Sequence, residues 1–266
     1  MTLAIILGAL VGIIMGLTGA GGGILAVPLL VFGLQLTVAQ AGPIGLLAVG
    51  IAAAMGAIIG LGAGVVRYRA ALLIAGTGIL LAPAGVWLAQ RLDTRILSVL
   101  FASVLLWVAY RSFKECRQPG QVNALDIEPP CIRDTQSGRF VWTTKCASRL
   151  ALSGSVAGVL SGLLGVGGGF VMVPALQRYT DLAMQSVVAT SLAVIALISM
   201  AGVATSISGG HFNAAIGLPF AVGAGAGMLA GGFLSSRLSP KYLKIFFAGV
   251  CAMVAAGMIF KSLSVS

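Results

Sequence analysis

Apolar residues fill long uncharged stretches of the chain, and the charged residues are confined to short segments between them. The first charged residue is Arg67, so 66 residues precede any charge. An α-helix needs about 20 apolar residues to cross a hydrocarbon core of about 30 Å. The other uncharged stretches are residues 70–90, 96–110, 150–177, 182–236 (interrupted only by His211) and 245–260. The pattern therefore predicts several membrane-spanning helices rather than a single anchor.

Two segments carry nearly the same glycine-rich motif. Residues 16–30 read GLTGAGGGILAVPLL, and residues 162–176 read GLLGVGGGFVMVPAL. At an offset of 146, residues 8–30 match residues 154–176 at 11 of 23 positions, which is an internal repeat. The repeat therefore predicts, in each half, a glycine segment followed by three spans. These lie near residues 43–63, 70–90 and 95–111 in the first half, and near 183–207, 214–236 and 243–261 in the second.

A polar linker at residues 112–148 separates the halves, because QPGQ and EPP break any helix there. We divide the chain into an N-terminal transmembrane repeat (1–111), this linker and a C-terminal transmembrane repeat (149–266). Within the linker, RFVWTTK at 139–145 alternates as a short strand does.

The composition of the chain agrees with lipid surroundings: of 266 residues, 59% are hydrophobic and 8% charged, and the mean hydropathy is +1.08. A soluble domain needs a polar shell that this composition does not provide.

The positive charges predict the orientation of the two halves, because cytoplasmic loops collect Lys and Arg. If each half crosses an odd number of times, the halves are inverted and 13 of the 16 cations lie on the linker side. An even number of crossings gives 10 against 6. The 13 are Arg67, Arg69, Arg111, Lys114, Arg117, Arg133, Arg139, Lys145, Arg149, Arg178, Arg237, Lys241 and Lys244. The bias favours inverted halves, with a cytoplasmic linker and both termini periplasmic.

An odd count requires the glycine segment of each half to contribute no crossing or two. As one continuous helix, residues 2–33 would run about 48 Å, too far for a single crossing of a core of about 30 Å. We therefore expect a hairpin of two short helices that enters and leaves on the same face. The predicted fold is an all-α polytopic membrane protein. It has two inverted-topology repeats, each a glycine-broken helical hairpin followed by three transmembrane helices.

The glycines and prolines of the motif predict a break in the helix at membrane depth. Glycine costs about 1 kcal/mol and proline about 3 kcal/mol relative to alanine in a helix interior. The expected break residues are Gly21, Gly22 and Gly23 in the first half, and Gly167, Gly168 and Gly169 in the second. Such a break survives only when it is buried in protein or lines an aqueous cavity. In transporters, the N-termini of broken helices point toward anions, so the expected ligand is a small anion.

Polar side chains near the motifs are candidate ligands of that anion, since no Asp, Glu, Lys or Arg falls in the middle of a predicted span. The candidates are Thr18, Gln40, Gln185, Thr190 and Ser191. Two alternatives stay open: the glutamines could bond neighbouring helices, and the hydroxyls could bond their own helix. Proton coupling would have to use the substrate, water, His211 or Asp181. The spacing of Gly8, Gly12 and Gly16 favours close helix packing instead of binding.

Other function classes receive little support from the sequence. The four cysteines form no CxxC pair and have no neighbouring histidine, so we expect free structural thiols, no metal site and no enzyme activity. GAGGGIL lacks the preceding strand and the acidic partner of a dinucleotide site, so no cofactor is expected. The formal charge of +10 lies in connections between apolar stretches, which argues for membrane orientation and against nucleic acid.

With both motifs in view, the sequence resembles the TauE/SafE sulfite exporter family, also called the toluenesulfonate uptake permease family. The resemblance rests on the two glycine motifs, on VVATSLAVI after the second and on GRFVWTTKCA before it. It implies a bacterial inner-membrane permease that exports sulfite, sulfoacetate or related organosulfonates. Alternating access between the two halves is the expected mechanism, and an anion channel with the same backbone-amide site is the alternative. The first half departs from the second by having Gly45 and Leu46 where Thr190 and Ser191 stand.

Overall fold

The computed structural model describes residues 2–117, 131, 143–210, 213–235 and 240–264. In these ranges the α-helices are α1 (Thr2–Thr18), α2 (Ala26–Gly33), α3 (Val38–Gly62), α4 (Tyr68–Arg91), α5 (Thr94–Arg117), α6 (Thr144–Leu164), α7 (Gly169–Tyr179), α8 (Met184–Ser208), α9 (Ala214–Ser235) and α10 (Pro240–Ser264). A 3-10 segment, Gly19–Leu25, joins α1 to α2. By length and composition, α3, α4, α5, α6, α8 and α9 can each cross a membrane. The prediction of an all-α polytopic membrane protein is confirmed.

Each glycine segment folds back on the helix that precedes it. In the first half, a Cβ placed on Gly22 would lie 2.6 Å from the Cα of Met15, and one placed on Gly33 would lie 2.5 Å from Leu7. Since Gly33 follows Gly22 while Leu7 precedes Met15, α2 runs back along α1. In the second half, Gly168 contacts Ala157, two turns before the end of α6. The chain therefore reverses at both motifs as expected, but α6, with 21 residues, is long enough to cross a membrane and is not the short helix that was expected there.

The first helix of each hairpin packs on the second of the three spans in the other half. Helix α1 lies against α9, and α6 lies against α4. Gly8, Gly12 and Gly16 contact the α9 backbone, while Gly154, Gly158 and Gly162 contact the α4 backbone. These glycines face backbone atoms so closely that a methyl group would not fit, as expected for small-residue packing between membrane helices. Helices α3 and α8 pack together, and α5 pairs with α10.

Between residues 117 and 143 the structure describes one residue of the linker, and it corrects the expectation of free thiols. Cys131 forms a disulfide with Cys146 in the first turn of α6. The backbone amide of Cys131 also donates to the carbonyl oxygen of Tyr179 (3.1 Å) at the end of α7. The spacing of the cysteines carried no sign of this, because the pairing depends on how the linker returns to the hairpin. Cys251 is a buried free thiol.

The prediction of a short strand at residues 139–145 is wrong for its last three residues, 143–145. Thr143 caps α6, its hydroxyl oxygen accepting a hydrogen bond from the amide of Cys146 (3.1 Å), and Thr144 and Lys145 are helical. A capping threonine starts a helix wherever the following residues can form one. Residues 139–142 lie outside the described residues.

Candidate functional site

The first glycine break is a 3-10 turn that follows directly on α1. The hydroxyl of Thr18 donates to the carbonyl oxygen of Ile14 (2.7 Å), as the last turn of α1 closes. Gly19 then has φ +76°, a left-handed conformation that glycine adopts without a steric penalty. Pro28 lies in the first turn of α2, where no intrahelical bond needs its missing amide hydrogen. The break therefore comes from the glycines, and the proline is compatible with the helix that follows.

The second break uses the same motif with a different backbone. Helix α6 ends at Leu164, and Gly165, Gly167 and Gly168 have φ values of +71°, +75° and +68°. Gly165 caps the C-terminus of α6, and Gly168 is the N-cap of α7. Three left-handed residues within four positions reverse the chain in fewer residues than the 3-10 segment of the first half.

The two breaks touch each other inside the protein. A Cβ on Gly23 and a Cβ on Gly167 would each lie 3.0 Å from Cγ1 of Val49, on α3. The one on Gly23 would also lie 3.3 Å from the carbonyl oxygen of Val166. The second break and the inner part of the first are enclosed by protein, because residues 161–170 and 22–28 are buried. This burial satisfies the requirement that irregular backbone at membrane depth avoids lipid.

A cavity of about 590 Å³ lies beside the first break and reaches the end of the bundle where α5 leads into the linker. Its walls are mainly apolar, with Trp107, Phe170, Leu192 and Phe247 among the larger side chains. The polar side chains that line it are Thr18, Arg111, Ser112, Gln177 and Gln185. Apolar walls with a few polar groups are typical of a small-molecule site.

The predicted site residues divide between this cavity, the breaks and other roles. Thr18, Gly21 and Gln185 line the cavity. Gly22, Gly23, Gly167, Gly168 and Gly169 lie buried in or beside the breaks. A binding role for each of these residues stays a prediction.

Gln40 lies outside the cavity lining and has a local structural role. Its side-chain oxygen accepts from the amide of Thr37 (3.2 Å), and its own amide donates to the Thr37 hydroxyl (3.3 Å). This capping box starts α3 at Val38, five residues before the expected position and ahead of Pro43. The repeat therefore places equivalent glutamines at two helix N-termini, but only Gln185 meets the cavity.

Thr190 and Ser191 are both buried and make different hydrogen bonds. The hydroxyl oxygen of Thr190 accepts from the amide of Arg67 (3.1 Å), which ties α8 to the start of α4. The hydroxyl of Ser191 donates to the carbonyl oxygen of Val188 (2.8 Å) in its own helix, one of the two alternatives that the sequence left open. Asp181 is exposed between α7 and α8. His211 lies outside the described residues.

Sequence reasoning missed the charge of the cavity. Arg111 was counted among the linker cations, and Trp107 reads as an interface residue because it lies near the end of a span. In the structure both line the cavity, with the guanidinium carbon of Arg111 5.6 Å from the Trp107 ring centroid. Their spacing of four residues, which stacks a cation on an aromatic ring along one helix face, was the available signal. Arg111 is the one charged side chain among the described residues that line the cavity.

In the described part of the chain, six helices that can each span a membrane, together with a cavity of solute size, define the class: a polytopic membrane protein with an internal cavity. Comparison with known proteins narrows this class, since the family described as "Sulfite exporter TauE/SafE" matches residues 4–258. The chain belongs to that family of membrane transporters.

Two relatives extend over nearly the whole chain. One is the "Probable membrane transporter protein YunE" of Bacillus subtilis, 23% identical, covering 97% of both chains. The other is a "Probable membrane transporter protein" of Xylella fastidiosa, 27% identical, covering 96% of this chain and 93% of its own. No solved structure matches the chain.

Proposed function

We propose that the protein is a secondary transporter that exports small sulfur-containing anions, such as sulfite, sulfoacetate or related organosulfonates, across the bacterial inner membrane. The observation that carries this proposal is the cavity, whose one charged side chain among the described residues is the cation Arg111. The family is described by sulfite export, which supports the choice of a sulfur oxyanion.

The cavity lining offers donors for an oxyanion and space for an organic group. A guanidinium donates paired hydrogen bonds to planar or tetrahedral oxyanions. The amide groups of Gln177 and Gln185 add neutral donors, and the ring of Trp107 and the other apolar walls suit a short carbon chain. One cation balances the charge of a bound anion, and the neutral amides add hydrogen bonds without adding charge. The anion can therefore bind and still dissociate.

Alternating access by two inverted halves is part of the proposal. The cavity reaches one end of the bundle, and the buried breaks lie at its inner side. A substrate that enters from the linker end therefore meets protein before it reaches the opposite face. This one-sided arrangement supports a transporter over an open channel.

The orientation that we propose has the linker in the cytoplasm and both termini in the periplasm. The bias of 13 cations to 3 on the linker side supports it. The linker disulfide supports the opposite orientation, since the cytoplasm keeps most thiols reduced. We give the charge bias more weight because it sums over many loops, and we expect the disulfide to be open in unstressed cells.

Flux in proteoliposomes tests the proposed function. The purified protein should transport sulfoacetate or sulfite with saturation. Replacing Arg111 by Gln should lower this flux at least about tenfold, because a hydrogen bond to a charged group contributes about 1.5–3 kcal/mol.

Arg91→Gln is the matched control for Arg111→Gln. Arg91 also stacks on a tryptophan four residues earlier, with its guanidinium carbon 4.2 Å from the Trp87 ring centroid, but it does not line the cavity. Its flux should equal that of the unmodified protein. Equal loss in both variants, or flux that rises linearly with concentration as in a channel, contradicts the proposal.

A further inference from the structure

The first turn of α7 presents buried backbone amides to the second break. The first amides that bond within this turn are those of Val171 and Met172, both to the carbonyl oxygen of Gly168 (3.1 and 3.2 Å). The amides of Gly169 and Phe170 precede these bonds; they lie just after the turn at residues 167–168, whose acceptor is the carbonyl oxygen of Val166, and neither makes a close backbone hydrogen bond among the described residues. Both residues are buried. The N-terminus of this 11-residue helix therefore carries donors without a close partner and a partial positive charge, in a region closed to solvent.

A buried hydroxyl without a partner faces the same break. Ser199 of α8 is fully buried, and its hydroxyl has no hydrogen-bond partner among the described residues. That hydroxyl oxygen lies 3.1 Å from the position of a Cβ on Gly167, so it points into the break. On the opposite side Gly50 leaves room for Ser199, because a Cβ there would lie 2.9 Å from the Cβ of Ser199.

Ser199 differs from three other hydroxyls of its own helix. Ser191, Thr205 and Ser206 each donate to a carbonyl oxygen three or four residues earlier in α8, at 2.8–2.9 Å. This is the usual partner of a hydroxyl in an apolar helix. An unpaired buried hydroxyl is costly, so a ligand that supplies the missing partner accounts for its position.

We infer that the second break is an oxyanion site, in which the amides at the start of α7 and the hydroxyl of Ser199 bind the charged group of the transported anion. This inference rests on the proposed function for the identity of the anion. The donors favour an anion over a cation. Phe170 belongs to this first turn and also lines the cavity, so the site lies directly behind the cavity wall. Arg111 and Ser199 then bind the same anion at successive positions, and the second position requires the break to open, since a Cβ on Gly167 would already lie 2.7 Å from Cγ2 of Ile195.

The site belongs to the second half alone. At the offset that aligns Gln40 with Gln185, Ser199 is opposite Ala54, which has no hydroxyl. In the first break, Gly21 lines the open cavity, and a Cβ placed on it would meet only Phe247, at 3.9 Å.

The test compares Ser199→Ala with Ser206→Ala in the purified full-length protein. Ser206 is a matched control because it is equally buried on α8 and its hydroxyl bonds within the helix (2.8 Å). Thermal unfolding is measured alone and with sulfite, sulfoacetate, sulfate, nitrate or phosphate, and KM is measured in proteoliposomes. We expect Ser199→Ala to unfold at or above the unmodified temperature without anion. It should lose the anion-induced shift and raise KM at least about tenfold, whereas Ser206→Ala keeps both.

The outcomes separate the site from the proposed substrate. An unchanged anion shift and KM in Ser199→Ala overturn the site while flux still supports the function. If only an oxyanion without sulfur stabilises the protein, and Ser199→Ala removes that effect, the site stands and the proposed substrate falls. If no anion shifts unfolding in any variant, the hydroxyl binds water alone and the inference is overturned.

Discussion

The two glycine breaks have nearly the same sequence and different surroundings. The first is a 3-10 segment, Gly19–Leu25, that borders an open cavity through Gly21. The second is a tight reversal, residues 165–168, that is closed on every side by protein. Glycine-rich sequence therefore determines where a helix stops, while the helices packed around it determine what the exposed backbone can bind.

The difference between the breaks also explains why the halves diverge after the motif. Gly45 occupies the position equivalent to Thr190, and a Cβ there would lie 2.8 Å from the carbonyl oxygen of Gly165. A threonine in the first half would therefore collide with the second break. In the second half, Thr190 is free of that constraint and accepts a hydrogen bond from the amide of Arg67.

The largest expected effect is on folding, from an added methyl group in the second break. Gly165→Ala requires a left-handed alanine, which costs about 1–2 kcal/mol, and drives its Cβ into the backbone of Gly42. Overpacking of this kind adds about 1–3 kcal/mol. We expect a markedly lower unfolding temperature in detergent than for the unmodified protein.

Gly21→Ala is the matched change in the first break. Its Cβ would meet only Phe247, at 3.9 Å, and the position has no positive φ. Its unfolding temperature should stay close to that of the unmodified protein. Equal destabilisation by the two variants would remove the contrast between an open and a closed break.

The disulfide gives a second difference between the halves, because it links Cys131 of the linker to Cys146 at the start of the second hairpin. Its cysteines are 15 residues apart, and closing a loop of that length stabilises a fold by about 3 kcal/mol. A double variant, Cys131→Ser with Cys146→Ser, should unfold at a lower temperature than the oxidised protein. Dithiothreitol should bring the unmodified protein to the same temperature and leave the double variant unchanged.

The thiol state in living cells links this prediction to the orientation. With a cytoplasmic linker, maleimide labelling after denaturation should find Cys131 and Cys146 reduced in unstressed cells, and oxidised after treatment with diamide. A disulfide that is complete in unstressed cells would place the linker in the periplasm and refute the charge-based orientation.

The smallest expected effects come from the repeat-equivalent glutamines. Gln40→Ala removes half of a capping box, so we expect a loss of about 1 kcal/mol in stability and unchanged flux. Gln185→Ala should leave stability unchanged and lower sulfoacetate flux severalfold, because its side chain lines the cavity. The two measurements are thermal unfolding and proteoliposome flux, and the same pattern in both variants would contradict the division of roles.

Much of the fold could be predicted because its signals are local or periodic. Uncharged stretches predicted the spans, and the spacing of Gly8, Gly12 and Gly16 predicted a helix contact that the structure shows against α9. The glycine clusters predicted where the hairpins turn to within a few residues. Each of these features depends on neighbours in sequence or on a single repeated spacing.

The site was less predictable because it depends on which helices meet. The burial of both breaks against Val49 follows from the packing of α3, and Arg111 enters the cavity only because α5 ends beside α3 and α7. Ser199 matters because its hydroxyl lacks the usual bond to its own helix, which a sequence does not reveal. The disulfide likewise depends on the path of the linker.

The first helix of each hairpin packs on the opposite half, and this packing limits how the helices can move. The backbones of α1 and α9 touch along three glycines of α1 and three of α9, and α6 and α4 touch in the same manner. Helices whose backbones are in direct contact cannot easily shift along each other, because the ridges of each helix pack into the grooves of the other. A rocking movement would therefore carry α1 with α9 and α6 with α4. Each moving unit would then contain helices from both halves of the chain.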